Sequence, residues 1–213
     1  MSSVVHNINS DLNNLVQWVE DNGLRINPNK STMLVIGNCE VPMLKLDGIQ
    51  LQPDKFCKSL GVYFDPDLNF KFHLQAKMKA AVIKLKHLYQ FRDILTSEIK
   101  LRLINLLVIP LFDYCACVYV PNLSQADKHR IQVFQNSCLR FVYNVRKFDH
   151  ISNYREVAKM DNIESRTEKM YLTLIHEILQ TKTPRYLYDN LVPKFCNYSL
   201  RIRNLYILPS FKK

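Results

Sequence analysis

The stretch Phe56–His73, FCKSLGVYFDPDLNFKFH, decides how the rest of the chain is read. Its first half is strand-like, with Phe56, Leu60, Val62, Tyr63 and Phe64 around one glycine, Gly61. A glycine inside a strand pattern marks a bulge or a place where another backbone comes close. Asp65-Pro66-Asp67 then forms a turn, with Asp65 and Asp67 in turn or capping roles. A long lysine-studded helical pattern follows. Small α/β structure precedes this joint and helical structure follows it, so the expected fold class is α+β. Residues 1–70 form a small helix-plus-strand part, 71–150 a helical bundle, and 151–213 a helical extension with a basic tail.

Upstream, Leu12, Leu15, Val16 and Val19 repeat at helical spacing. Ser10 or Asp11 is the expected N-cap, and Gly23 is placed to end the helix. Trp18, the single tryptophan, is expected to anchor that helix on a sheet. Pro28 breaks any helix, and the β-branched and apolar run Thr32–Ile36 reads as a buried strand. Met43–Leu51 reads as two short strands about an Asp47-Gly48 turn, a strong hairpin signal.

Downstream, Leu74, Met78, Ala81, Val82, Leu85, Leu88 and Tyr89 make one apolar stripe over 72–92. Lys77 and Lys84 border it on one side, Lys79 and Lys86 on the other. Thr96 caps a second helix with Ile99, Leu103, Leu106 and Leu107 on one face, which Pro110 kinks or ends. A third begins near Ser124 and carries Ile131, Phe134, Cys138, Phe141 and Val142; a fourth covers roughly 164–179.

The chain carries a formal net charge of +10 over 213 residues, and 47% of them are hydrophobic. That composition builds an ordered core rather than a disordered tail. A basic balance suits a polyanionic partner or a membrane surface. The charge is concentrated after the joint: Lys71, Lys77, Lys79, Lys84, Lys86, Arg92, Lys100 and Arg102 face only Asp93 and Glu98. The six cysteines lack zinc-site spacing and read as free thiols in a reducing compartment. The N-terminus lacks the apolar core of a signal peptide, and Leu101–Phe112 is too short and broken to span a bilayer. An intracellular protein without a membrane segment is expected.

The order of these pieces resembles the C-terminal part of jockey-like non-LTR retrotransposon reverse transcriptases. DLNNLVQWVEDNGLRINPNKSTMLVIG is similar to their last palm helix and following strand, and SLGVYFDPDLNFKFHL to the primer grip. LINLLVIPLFDYCACVY and IQVFQNSCLRFVYNV resemble thumb helices, and YREVAKMDNIESRTEKMYLTLIHEIL, PRYLYDNLVP and YSLRIRNLYILP continue the pattern. The resemblance implies an RNA-directed DNA polymerase whose active form uses magnesium held by a Y-x-D-D turn upstream of the palm helix. This sequence holds no adjacent aspartate pair, so no catalytic residue, metal ligand or cofactor is assigned to it and it is expected to be inactive alone. The missing palm and fingers are the implied partners.

Lys30 matches the motif lysine that lies near the incoming nucleotide's phosphates in the family. Leu60, Gly61 and Val62 match the primer-grip core, with Ser59 where the family commonly has an aromatic residue. Lys71, Lys77, Lys79, Lys84 and Lys86 are candidates for contacts to a primer–template backbone, salt-sensitive and without sequence preference. The alternative is that their stems cover the apolar stripe. Tyr89, Tyr114, Tyr119 and Tyr143 have apolar neighbours and are expected in the core, and Asp113 is an oddity in an apolar run. Two functions stay open: a duplex-binding piece of a reverse transcriptase, and a helical protein-interaction module, domesticated or decayed.

Overall fold

Helix α1 runs over Ser2–Asp21 in a computed structural model that describes residues 2–37, 40–193 and 206–207. It starts well before the expected Ser10 or Asp11 cap. Val4 and Ile8 continue the four-residue apolar repeat of Leu12 and Val16 toward the N-terminus. Gly23 ends it as expected, with φ +70. Its N–H donates to Glu20 O at 2.9 Å, and Leu24 N–H donates to Val19 O at 2.9 Å. Trp18 does not anchor α1 on a sheet; it is 59% exposed. The helix docks instead through Asn9, which donates to Met43 O and accepts from Lys45 N–H. Nine residues at 100° each put Trp18 on the opposite face from Asn9.

The Asp47-Gly48 hairpin forms as the dipeptide predicts. Strand β1 (Lys45–Leu46) pairs antiparallel with β2 (Ile49–Gln50), Leu46 opposite Ile49. Asp47 and Gly48 both have positive φ, which a two-residue turn of this hand requires. The strand expected at Thr32–Ile36 is absent. Only Met33 bridges, in parallel, to Pro53. Proline has no N–H to carry a ladder onward, so pairing stops at one residue.

The strand expected across 56–65 is instead a second hairpin. Strand β3 (Cys57–Ser59) folds back onto β4 (Val62–Phe64), Ser59 opposite Val62. Leu60 (φ +47) and Gly61 (φ +84) form the turn, so Gly61 sits at a hairpin tip rather than at a bulge in one strand. Leucine in a left-handed conformation is costly, which is why side-chain pattern does not announce this turn.

The Asp65 carboxylate then accepts from Asn69 N–H at 3.0 Å and Phe70 N–H at 2.8 Å. Those bonds steer the chain into helix α2 (Lys71–Tyr89), and Asp65 plays the capping role its position suggests. Replacing it with alanine leaves two N–H groups beside buried Phe70 without their acceptor. Asp65→Ala is expected to destabilise by roughly 1 kcal/mol, read as a lower urea midpoint.

Helix α3 (Ser97–Leu103) starts at the expected Thr96 cap, whose side chain accepts from Ile99 N–H. A π turn over Ile104–Val108 leads to α4 (Pro110–Asp113), and α5 (Ala116–Tyr119) follows. Pro110 opens α4 rather than ending a helix. The widened turn, with Ile109 N–H on Ile104 O, lets the chain pass a residue that lacks an N–H. The buried face of this region differs from the one expected. Lys100, Ile104, Val108 and Phe112 point inward, whereas Ile99, Leu106 and Leu107 are exposed.

Helix α6 (Gln125–Tyr143) is capped by Ser124, which accepts from Asp127 N–H while donating to its carboxylate. Ile131, Phe134, Cys138, Phe141 and Val142 are buried as its spacing predicts. Helix α6 packs on α2, whose buried stripe positions are Leu74, Ala81 and Leu85; Val82 is exposed, and Tyr89 is exposed with its ring 5.0 Å from Phe141. Helix α7 (Ser152–Ala158) ends the compact unit Met1–Met160. A second unit, Asp161–Lys213, holds α8 (Ile163–Thr181), α9 (Arg185–Tyr188) and the paired strands β5 (Val192–Pro193) and β6 (Tyr206–Ile207). The basic tail residues Lys194, Arg201, Arg203, Lys212 and Lys213, with Cys39 and Cys196, lie outside the described residues.

The architecture is thus α+β: mainly helical, with small antiparallel hairpins. Among the described residues no single helix is long and apolar enough to cross a membrane. The bent pair Ser97–Asp113 and Ala116–Asn122 reaches that composition only jointly. Its inner face, Ile104, Val108, Phe112, Ala116 and Tyr119, belongs to the core.

Candidate nucleic-acid interface

The hairpin β3–β4 is held against the start of α2 by rings. Phe56 stacks on Phe72 at 4.2 Å, and Tyr63 meets Phe72 edge-on at 5.0 Å. Tyr63 N–H donates to His73 Nδ1 at 3.3 Å. The three hairpin candidates part company on this platform. Val62 is buried, whereas the Leu60 side chain is 88% exposed. The Cβ position that Gly61 leaves empty lies 3.6 Å from Tyr114 Cε1, an ordinary contact distance. Glycine is therefore needed for its positive φ rather than for clearance.

Tyr114 reaches the same tip through its hydroxyl, which donates to Leu60 O at 2.6 Å. The Lys77 ammonium stands over the Tyr114 ring, 5.5 Å from its centroid. Leu60, Gly61 and Lys77, distant in sequence, are gathered on one tyrosine that is itself exposed. Tyr89 is exposed as well, so both depart from the expected core positions, whereas Tyr119 is fully buried. Tyr119 donates to Phe112 O at 2.6 Å, and burial pushes its phenol far above the usual range. Tyr143 packs beside Tyr154 at 5.0 Å.

The lysines of α2 fall on two edges of its buried stripe. Lys77 and Lys84 face the α3–α4 side, and Lys84 Nζ donates to Leu107 O at 2.9 Å in the irregular turn before Pro110. Lys79 and Lys86, seven residues apart on the other edge, are exposed, as is Lys71 in the first turn. These three make no ion pair or hydrogen bond through their ammonium groups with the described residues. The edge formed by Lys79 and Lys86 is cationic and open to water, with Lys71 about 60–80° round the helix from it.

The three other cations of the same stretch are spoken for. Arg102 pairs with Glu98 at 2.7 Å. Lys100 is 1% exposed, donates to Asn144 Oδ1 at 2.9 Å and lies over the Phe141 ring. Arg92 Nε donates to that same oxygen at 3.1 Å. Burial first, then the Arg92 charge, lowers the Lys100 pKa, with Asp93 opposing. In sequence Lys100 is one more cation of the basic stretch, and nothing near it marks its acceptor, which lies 44 residues away.

Lys30 closes a short 3₁₀ turn, Pro28–Lys30, where Asn27 Oδ1 accepts from Asn29 N–H. Its side chain is exposed. A groove of about 800 Å³ between α1 and residues 33–44 is lined mainly by apolar side chains such as Val4, Ile8, Leu34, Val41 and Met43, and includes neither Lys30 nor the α2 lysines. Among the described residues no cluster of three His, Cys, Asp or Glu is placed to hold a metal ion. Asp65 does not fit such a role, because its two oxygens accept from Asn69 and Phe70. The buried thiol of Cys138 is pushed up to about 12 and stays protonated near neutral pH. No protein-family model, curated protein or solved structure matches this chain.

Proposed function

We propose that this chain is the C-terminal part of a non-LTR retrotransposon reverse transcriptase, acting here as a duplex-binding piece without chemistry of its own. In this reading residues 1–70 are the end of a palm with its primer grip, α2 to α6 are a thumb, and the remainder is a helical extension. The partners are an RNA–DNA or DNA duplex and the palm and fingers of the parent polymerase, which holds the magnesium.

The observation that carries the reading is the open edge of α2. Lys71, Lys79 and Lys86 project from a helix that starts directly after a docked hairpin, with Leu60 at the exposed tip. Phosphate contacts of this kind give affinity without sequence preference.

The triple variant Lys71→Gln, Lys79→Gln, Lys86→Gln tests it against wild type by titration of a fluorescent hybrid duplex over a salt series. Each lost phosphate contact removes about 0.9 from the slope of log K against log salt, so the triple variant should flatten it by roughly 2.7. Affinity near 0.1 M salt should fall at least about tenfold. Equal binding by the two proteins at every salt concentration, or no binding by wild type at low salt, would end the proposal. Primer extension with magnesium, template-primer and nucleotides is expected to be absent, and measurable extension would overturn the assignment of a non-catalytic piece.

The interaction-module reading rests on a different feature: Ile99, Leu106, Leu107 and Val118 are apolar and exposed on the α3–α5 region. Self-association without nucleic-acid affinity favours it.

A further inference from the structure

We infer that Tyr114 is a positioning residue for duplex binding, one that holds the Leu60-Gly61 tip and Lys77 together as a second contact, on the edge of α2 opposite Lys79 and Lys86. The inference rests on the duplex-binding reading and adds to it a residue from a different element.

The tip needs a lock. A two-residue turn with Leu60 at φ +47 is strained, since a left-handed conformation costs a side-chain-bearing residue on the order of 1–2 kcal/mol. Only a short two-stranded ladder, Cys57–Ser59 against Val62–Phe64, supports it from within. The ring contacts of Phe56 and Tyr63 with Phe72 hold the strands on α2, but Leu60 at the tip is 88% exposed and takes no part in them.

Tyr114 supplies what the ladder lacks. Its hydroxyl donates to Leu60 O at 2.6 Å, and its ring edge lies 3.6 Å from the Gly61 Cβ position. The same ring carries Lys77 Nζ at 5.5 Å. Tyrosine thus fixes a backbone carbonyl with one atom and an ammonium with its face. It follows Asp113, the last residue of α4, and at its ψ of 116 the chain leaves the helix. The geometry supplies a role for a tyrosine whose apolar neighbours predict a core position. Tyr114 is exposed beside Leu60, so burial is not what holds it there.

The experiment uses the full chain, a hybrid duplex of about 20 base pairs, and the wild-type, Tyr114→Phe, Lys77→Gln and double-variant proteins. A footprint of 6–10 phosphate contacts fits within that length, so the salt slope reports on both edges. Tyr114→Phe removes one hydroxyl and keeps the ring; a hydrogen bond of this class contributes about 1 kcal/mol, so a loss of about fivefold in affinity is expected. The salt slope should stay unchanged, because no charge is lost. Lys77→Gln should flatten the slope by about 0.9, and its cost in affinity should shrink in the Tyr114→Phe background.

Coupling between Tyr114 and Lys77 in affinity, with no matching change in the urea midpoint, is the outcome that supports positioning. Wild-type binding with no loss in Tyr114→Phe overturns the role of Tyr114 and leaves the duplex-binding reading standing. Affinity that falls only in step with the urea midpoint also overturns it, leaving Tyr114 a structural residue. No duplex binding by wild type overturns both.

Discussion

Asn144→Ala should lower the stability of this protein by about 3 kcal/mol, because it takes away the acceptor of a buried ammonium. Asn144 sits just past α6 with φ +56, and its side-chain oxygen receives Lys100 Nζ at 2.9 Å and Arg92 Nε at 3.1 Å. Three segments, the turn after α2, α3 and the cap of α6, meet at that one atom. Alanine removes it and adds left-handed strain of about 1 kcal/mol. At about 2–4 °C per kcal/mol for a chain of this size, the melting temperature should fall by roughly 6–12 °C.

Two companions separate the causes. Asn144→Gly relieves the strain but not the lost acceptor, so it should recover only about 1 kcal/mol. Lys100→Met keeps much of the volume and removes the charge, and should cost far less than Asn144→Ala. The deficit of Asn144→Ala should also shrink in alkaline solution. A lysine whose folded pKa lies below the usual 10.5 binds a proton more readily when unfolded, so stability rises with pH through that window. An Asn144→Ala protein that melts like wild type would show that the clasp carries no weight.

The second large effect is with acid. His73 is fully buried and Nδ1 accepts from Tyr63 N–H, so its proton resides on Nε2. Nε2 has no hydrogen-bond partner, and the ring meets Tyr119 edge-on at 4.8 Å. A second proton on Nδ1 would face the Tyr63 N–H, donor against donor. Burial, and secondarily the Lys77 charge, lowers the pKa from 6.5 to about 4.

The sign follows from which state holds the proton. Between pH 6.5 and about 4 the unfolded chain is protonated at this site and the folded chain is not. The His73 contribution is therefore complete above pH 6.5 and is lost as pH falls toward about 4, on the order of 2–3 kcal/mol in total. His73→Asn keeps an acceptor near the Nδ1 position without titrating. The stability difference between wild type and His73→Asn, from urea melts at a series of pH values, should move against wild type across that window. A difference that stays flat would remove His73 from the acid response.

Part of the structure set by local periodicity or by one dipeptide was legible in advance. Asp47-Gly48 carries both positive φ values of its turn, and Ser124 with Asp127 carries a cap in four residues. The α6 spacing named five buried residues correctly because that helix is covered along one continuous stripe. Legibility failed where a partner far along the chain decided the outcome. Ile99, Leu106 and Leu107 made the more apolar face, yet Lys100 faces inward because Asn144 waits there to receive it. Leu60-Gly61 hid a turn inside a strand pattern because leucine seldom takes the left-handed region, and Tyr114 helps to hold it there.

The candidate site divides the same way. Sequence alone determined that the cations cluster on one helix after a glycine-bearing segment, because charge and spacing are local properties. It also set the two edges on which those lysines stand, since 100° per residue follows from helix geometry. Tertiary structure alone decided which edge stays open: Lys77 and Lys84 meet Tyr114 and Leu107 across a packed boundary, while Lys71, Lys79 and Lys86 face water. The reason is that a side chain's freedom depends on what packs against its helix, and that neighbour comes from elsewhere in the chain.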